Sequence, residues 1–517
     1  MTTPSASSAT PTHDEIKACA RQYGWLLSPD QLDELAAAIT GLSGSYVRLQ
    51  QLHESAHEDQ PTSVRDCGVA PDINDSQAWS WLCDIHEQDT GPLTGTSVAI
   101  KDSIAVAGLP TMMGSELLNQ PDTRHVARQD ATVVRRLLGA GGIIRGKSTT
   151  EDLCIGGSSC TSKPHRLENP HLAGRSAGGS SSGSAVLLAQ HEVDLALGAD
   201  QGGSIRIPAA LCALVGLKPT FGSIPFTGVQ GLVWSMDHVG PMARSVREVA
   251  VALDVLSGDD GIDRRSRGVA PTSALATLDQ SVRGLRVGIL QEGFDLTRAG
   301  EAEFPGSVAA ADLVHQRALA LAACGLDVID VSLPMHADAQ HIYGPLLVES
   351  AATNIWGSRG LASADLGPQG DTPVVSIDRA LRRYPELASD PTKLLAIAGT
   401  LFHDKHAGES LEAATTQVLA LRRIYDETLN TVDVLVHPTT APAGVSGFLP
   451  DSATGVISES LAYFANTCPT NLTGHPAITV PVGTVNGAPV GMHITGRHHD
   501  EATLLRVALA VEEFVSR

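Results

Sequence analysis

The chain has 517 residues, 42% hydrophobic and 18% charged, a globular composition that leaves disorder only for the ends. Its 36 basic and 57 acidic side chains give a net charge of −21, which repels phosphate backbones and anionic lipid and argues against nucleic-acid and membrane-surface partners. Eight cysteines without a CxxC pair fit neither a disulfide framework nor a zinc ribbon, and no apolar run approaches the ~20 residues of a bilayer span; a cytoplasmic location with reduced thiols is expected.

Residues 1 to about 13 are rich in Ser, Thr and Pro and read as a tail. Ser28-Pro29-Asp30-Gln31 offers an N-cap, a proline at the first helical position and a Gln at the third, ahead of Leu32, Leu35, Ala36 and Ile39 on one face. A second helical pattern runs through Tyr46, Leu49 and Leu52 until Pro61. These patterns predict an N-terminal tail and helical subdomain over residues 1–75.

From residue 76 the texture alternates. Ser97–Ile100, Gly142–Ile144, Val193–Leu197, Leu285–Leu290, Val328–Val331, Val432–Val436, Ala477–Val482 and Val490–Ile494 read as buried strands, and Ala131–Leu138, Ser184–Ala189, Val246–Leu256 and Ala309–Ala323 as helices. The alternation predicts an α/β domain over residues 76–517, a large mixed β-sheet core covered by helices. Residues 350–410 lack a clean strand pattern and are candidates for a helical cap.

Three short motifs need weighing. Gly141 to Ser148 satisfies GxxxxGK[ST], but a helical stretch precedes it and Ile143-Ile144 look like a strand, the wrong context for a phosphate loop. His53-Glu54-Ser55-Ala56-His57 matches HExxH, the zinc-peptidase pattern; it is polar, has no evident third ligand and reads as a solvated helix end. Gly179 to Gly183 fits GxSxG, yet the preceding polar Asn169–Ala177 shows no strand to present Ser181 as an elbow nucleophile.

Two Ser-rich glycine loops carry more. Gly178 to Ser184 and Asp200-Gln201-Gly202-Gly203-Ser204 are separated by one predicted helix and one predicted strand. A strand ending in Gly-Gly-Ser sets successive backbone N–H groups in a concave turn, and Gly admits a substrate without Cβ obstruction, which is the making of an oxyanion hole. Taken alone, either loop reads as an ordinary tight turn.

Together, GGSSSGSAVLLAQHEVDLALGADQGGSIRIPAALCALVGLKPTFG and the upstream VAIKD resemble the amidase signature hydrolases. The likeness extends through GKSTTEDL, DHVGPMARSV, VLVHPTTAP and NLTGHPAITVPVGTVNGAPVGMHITGR, and so implies the amidase signature fold. It implies Ser204 as nucleophile, Ser180 as a bridging serine in a cis peptide, Lys101 as base, and the amides of Gln201, Gly202, Gly203 and Ser204 as the oxyanion hole. Asp200 and Arg206 would support that loop, as a pair. A lysine can act as base only when neutral, which requires burial or neighbours that draw its pKa down from ~10.4. Gln201 departs from the commoner Thr; with Glu151-Asp152-Leu153-Cys154 and Thr495 to Asp500 it looks like the bacterial enantioselective amidases associated with nitrile hydratase.

The resemblance implies a serine-dependent amidase that cleaves small aliphatic or aryl carboxamides through an acyl-enzyme, with no cofactor and no metal; a homodimer is compatible. Leu153–Ser159 and the cap region would wall the pocket. Anilides, carbamates or hydrazides could use the same machinery. Rival readings are the glutamine-hydrolysing component of an amidotransferase complex and, in another class, a zinc peptidase built on residues 53–57.

Overall fold

The computed structural model describes residues 11–58, 65, 68–69, 77–163, 166–296, 306–353, 373–406, 408–441 and 450–516. Two compact units divide the chain, Met1–Val64 and Arg65–Arg517. The first holds α1 (His13–Arg21) and α2 (Pro29–Glu58). Ser28 and Gln31 cap α2 reciprocally, backbone to side chain at 2.9 and 3.3 Å. The two helical patterns expected here form one continuous helix, because no proline interrupts the chain between Pro29 and Pro61. The backbone of His53–His57 lies within α2, and the side chains of that HExxH motif lie outside the described residues.

An eleven-stranded mixed sheet organises the second unit: β1 (Trp79–Ile85), β2 (Ser97–Lys101), β3 (Ile143–Ser148), β4 (Leu195–Asp200), β5 (Val215–Lys218), β6 (His238–Ala243), β7 (Arg286–Leu290), β8 (Asp327–Val331), β9 (Val434–Pro438), β10 (Ala477–Val485) and β11 (Ala488–Gly496). Their spatial order is β1-β3-β2-β4-β6-β5-β10-β11-β9-β7-β8. Parallel pairs β2–β3, β2–β4, β7–β8 and β7–β9 flank an antiparallel centre. Helices including α3 (Thr132–Gly139), α4 (Ser182–Ala189), α5 (Arg206–Leu211) and α6 (Val246–Leu256) cover the sheet, and the α/β architecture is the one expected. The strands β4, β6 and β11 are buried along their whole length, and β4 and β11 accordingly read as apolar runs. Among the described residues no helix is long and apolar enough to cross a membrane.

One local expectation is corrected and another is met. Leu172–Ser176 is a strand after all, paired with Glu168–Asn169 in a small ribbon outside the main sheet; its polar character follows from that position, since no core lies against both faces. The GxxxxGKS segment is strand β3 rather than a phosphate loop, and its Lys147 forms a fully buried ion pair with Asp102 at 3.1 Å.

Candidate active site

Strands β2 and β4 are parallel neighbours, registered Val98 to Leu195 and Ile100 to Leu197, so their C-terminal ends emerge side by side. Lys101 ends β2, and Asp200 ends β4 ahead of the Gln201–Ser204 turn. The other serine loop sits beneath both, at the start of α4. Adjacent parallel strands thus bring together segments a hundred residues apart.

Lys101 is 0% exposed. Its Nζ donates to Ser180 Oγ at 2.8 Å and to the carbonyl of Ala199 at 3.2 Å. Burial draws its pKa below the ordinary lysine value, against the opposing pull of Cys154, Asp200, Glu151 and Asp237. Ser180 follows a cis peptide bond from Gly179. Its carbonyl accepts from Thr150 Oγ1 at 2.5 Å and from the Glu151 amide at 3.3 Å, so the loop is gripped from the Thr150–Glu151 side.

Ser204 is 3% exposed and lines a cavity with Gln201, Cys154 and Tyr343. The walls of that cavity are apolar: Ile155, Leu232, Leu347, Leu395 and Phe464. The amide of Ser181 donates to the Ser204 carbonyl at 3.3 Å, which ties the two serine loops together. Among the described residues the hydroxyls of Ser180 and Ser204 are not joined by a hydrogen bond. Ser181, the GxSxG serine, turns its hydroxyl to the Ala199 carbonyl at 3.3 Å.

Asp200 and Arg206 are both fully buried and paired, as expected. The guanidinium meets the carboxylate through Nε to Oδ2 at 3.1 Å and Nη2 to Oδ1 at 3.0 Å. Its remaining N–H groups donate to the Thr467 carbonyl, Thr470 Oγ1, Asn471 Oδ1 and His493 Nε2, all within 2.9 Å. Burial pushes the Asp200 carboxyl up, but the Arg206 charge and the bonds from Arg206, Asn471 and Ile205 outweigh it and hold the group well below the usual carboxylate range.

The carboxylate also bears on the Gln201–Ser204 turn. Gly203 N–H donates to Asp200 Oδ1 at 2.7 Å, and Ile205 N–H to Oδ2 at 3.1 Å. The Gly203 amide is therefore committed to shaping the turn, which corrects its expected place among the oxyanion donors. The amides of Gln201, Gly202 and Ser204 donate to no group among the described residues, so three donors of the expected four are free. A positive φ of 143° at Gly203 explains why glycine stands there.

Sequence reasoning missed several side chains. Asn471 and His493 lie in a segment that carries signal only as part of a long match, and Thr467 and Thr470 stand just ahead of it; the available signal is polar residues in segments otherwise apolar enough to be core. Tyr343 and Leu347 belong to the helix Met335–Ala351, and Phe464 to the connection between the helices Ala453–Leu461 and Cys468–Thr473, none of which carries a motif. Gln201 Oε1 is buried without a hydrogen-bond partner at the cavity, while its side chain bonds to Asp237, whose carboxyl burial pushes up to about 6. Of the expected walls, Cys154, Ile155 and Gly156 of the Leu153–Ser159 loop and Leu395 of the helix Asp390–His406 line the cavity.

The Amidase family model matches residues 69–505. The enantioselective amidase of Rhodococcus rhodochrous is 36% identical over 97% of this chain and 96% of its own. A glutamyl-tRNA(Gln) amidotransferase subunit of Methanosarcina acetivorans is 35% identical over 83% of this chain and 86% of its own. Among solved structures, the native peptide amidase of Stenotrophomonas maltophilia superposes with a TM-score of 0.63 at 29% identity, covering 82% of this chain and 84% of the other. The glutamyl-tRNA(Gln) amidotransferase subunit of Thermotoga maritima gives 0.66 at 25% identity, covering 90% of each. Matched along nearly its whole length, the chain belongs to the Amidase family and is a hydrolase of that family.

Proposed function

We propose that the protein hydrolyses small aliphatic or aryl carboxamides through an acyl-enzyme on Ser204. The observation that carries this reading is the buried Lys101 Nζ to Ser180 Oγ hydrogen bond of 2.8 Å, made by a lysine whose burial favours the neutral amine, beside a cavity that Ser204 lines. Ser204 Oγ attacks the carbonyl carbon and passes its proton through the Ser180 hydroxyl to Lys101. The amides of Gln201, Gly202 and Ser204 hold the tetrahedral oxyanion, each worth ~3 kcal/mol in comparable sites. The proton returns along the relay to the leaving nitrogen, because an amine anion cannot depart. Water then cleaves the Ser204 ester with the same relay as base, releasing the carboxylic acid. No step calls on a cofactor.

The apolar cavity walls favour an uncharged acyl group. Helices bearing Leu347 and Leu395 supply part of those walls and act as the cap. The test is a panel of primary amides, anilides and glutamine with ammonia and amine detection. Primary aliphatic or aryl amides should turn over, Ser204→Ala should abolish turnover, and a serine-directed phosphonate should label Ser204. Labelling of Ser181 instead would refute the assignment. A second reading, a glutamine-hydrolysing amidotransferase subunit, draws on the 35% identity to such subunits; turnover of glutamine alone in the panel would favour it.

A further inference from the structure

A cluster outside the cavity wall remains unused by amide hydrolysis. Asp426 lies on the helix Glu409–Thr431, His475 directly follows the helix Cys468–Thr473 and Gly474, and His498 follows β11. Their ligand atoms all lie within 4.8 Å of one another. His475 Nε2 is 3.1 Å from Asp426 Oδ1, His498 Nε2 is 4.0 Å from the same oxygen, and the two imidazole centroids are 3.9 Å apart.

The anomaly is His498 Nε2, a buried ring nitrogen with no hydrogen-bond partner among the described residues. Buried polar atoms are rarely left so, and each such exception calls for a missing water or ion. We propose that Asp426, His475 and His498 form a divalent-metal site for an ion of borderline softness, Zn²⁺ or Co²⁺, that pins these three segments together. In a tetrahedral site with bonds of about 2.1 Å the ligand atoms stand about 3.4 Å apart, so the 3.1 and 4.0 Å separations from Asp426 Oδ1 lie within an ångström of that spacing, and the two imidazoles, within 4.8 Å of each other, close on the ion by side-chain rotation.

A further contact orients the first ligand. His475 Nδ1 lies 3.0 Å from Thr473 Oγ1. When Nε2 takes the ion, the ring proton resides on Nδ1 and donates to that hydroxyl, the outer-sphere arrangement usual for metal-bound imidazole. Asp426, with its side chain half exposed, provides the way in, and a water completes the fourth position. The site is borderline in charge, because Arg422 stands near. None of the three residues lines the Ser204 cavity, so the ion's part is structural.

The test uses the full chain without a polyhistidine tag, stripped with chelator and titrated with Co²⁺. One equivalent should give a saturable visible absorption of a low-symmetry Co²⁺ site, displaced by Zn²⁺. His498→Ala and the fold-sparing Asp426→Asn should each weaken binding by about 100-fold or more, whereas His53→Ala/His57→Ala should leave it unchanged. Zn²⁺ should raise the thermal midpoint of the unaltered chain and not that of Asp426→Asn. No saturable absorption, absorption that survives both site variants, or absorption lost with residues 53 and 57 would each overturn the proposal.

Discussion

The Asp200–Arg206 pair offers the sharpest test of how the Gln201–Ser204 turn is held. In Arg206→Met the Asp200 carboxylate would keep its bonds from Gly203 N, Ile205 N and Asn471 Nδ2, at 2.7, 3.1 and 2.8 Å, but lose both guanidinium contacts and the charge paired with it. Breaking a fully buried pair from one side leaves an uncompensated charge and costs about 3–5 kcal/mol, a large part of the roughly 5–15 kcal/mol that separates folded from unfolded chains. The loss should depend on pH. In the unaltered protein the Asp200 carboxyl is held below its unfolded value, so its stabilisation is present above about pH 4 and fades only as pH falls through the depressed folded value. Without Arg206 the burial effect is unopposed by charge and the folded value rises above the unfolded one, so Arg206→Met should be hurt more at pH 8 than at pH 5. Adding Asp200→Asn removes the stranded charge, and the double variant should be more stable than the sum of the single losses by about 2–3 kcal/mol. Equilibrium urea unfolding followed by tryptophan fluorescence at both pH values measures all four proteins. A loss below about 1 kcal/mol for Arg206→Met, or strict additivity in the cycle, would refute the argument.

Other expectations follow from single contacts. The kcat/KM of amide hydrolysis should fall on acidification with an apparent pKa below the ordinary lysine value, and Lys101→Met should abolish that limb with nearly all the rate; a rate independent of pH down to about pH 4 would contradict a neutral-lysine base. Burial pushes the Glu151 carboxyl from 4.5 up to about 7, against its bonds from Thr161 and Ser158. Its ionisation therefore costs nothing below pH 4.5, grows costly between 4.5 and 7 and is constant above. Glu151→Gln should gain roughly 3 kcal/mol at pH 8 and nothing at pH 4, read by urea unfolding; an equal gain at both would show that the carboxyl is not strained. Gly203→Ala should lose activity by about 100-fold or more and destabilise the chain by ~1–3 kcal/mol, since the residue holds a positive φ and a Cβ would collide with Thr467 Oγ1 and Ile207. Steady-state kinetics beside a thermal melt would decide it, and unchanged kcat would sink the reading of a tightly shaped turn.

Much of this architecture could be read from residues. Eight of the sheet strands announce themselves as short apolar runs, most of them because strands buried on both faces have no polar side to show; β8, expected to be buried, is instead an edge strand with no buried residue. Three did not. β6 contains Gly240 and Pro241, which argue against a strand by composition, yet its place between β4 and β5 buries it entirely. β5 has only four residues and ends in the buried Lys218, and β1 is interrupted by irregular register against β3. At the site, residue identity pointed to Lys101, Ser180 and Ser204, but the allocation of backbone N–H groups could not be read there. Whether the Gly203 amide faces the cavity or the Asp200 carboxylate depends on torsion angles, not side-chain type. The cavity walls are equally hidden, since Tyr343 and Leu395 come from separate helices and Phe464 from a connection, and they converge only in the folded chain.

The adjacency of β2 and β4 has a consequence for any interrupted form of the protein. A chain cleaved in the Glu192 turn, after α4 and before β4, would leave Lys101, the proposed proton acceptor, on one piece and Ser204, the proposed nucleophile, on the other. Each fragment alone should be inert, and activity should return only as the second-order product of their reassociation, making hydrolysis itself a reporter of sheet assembly.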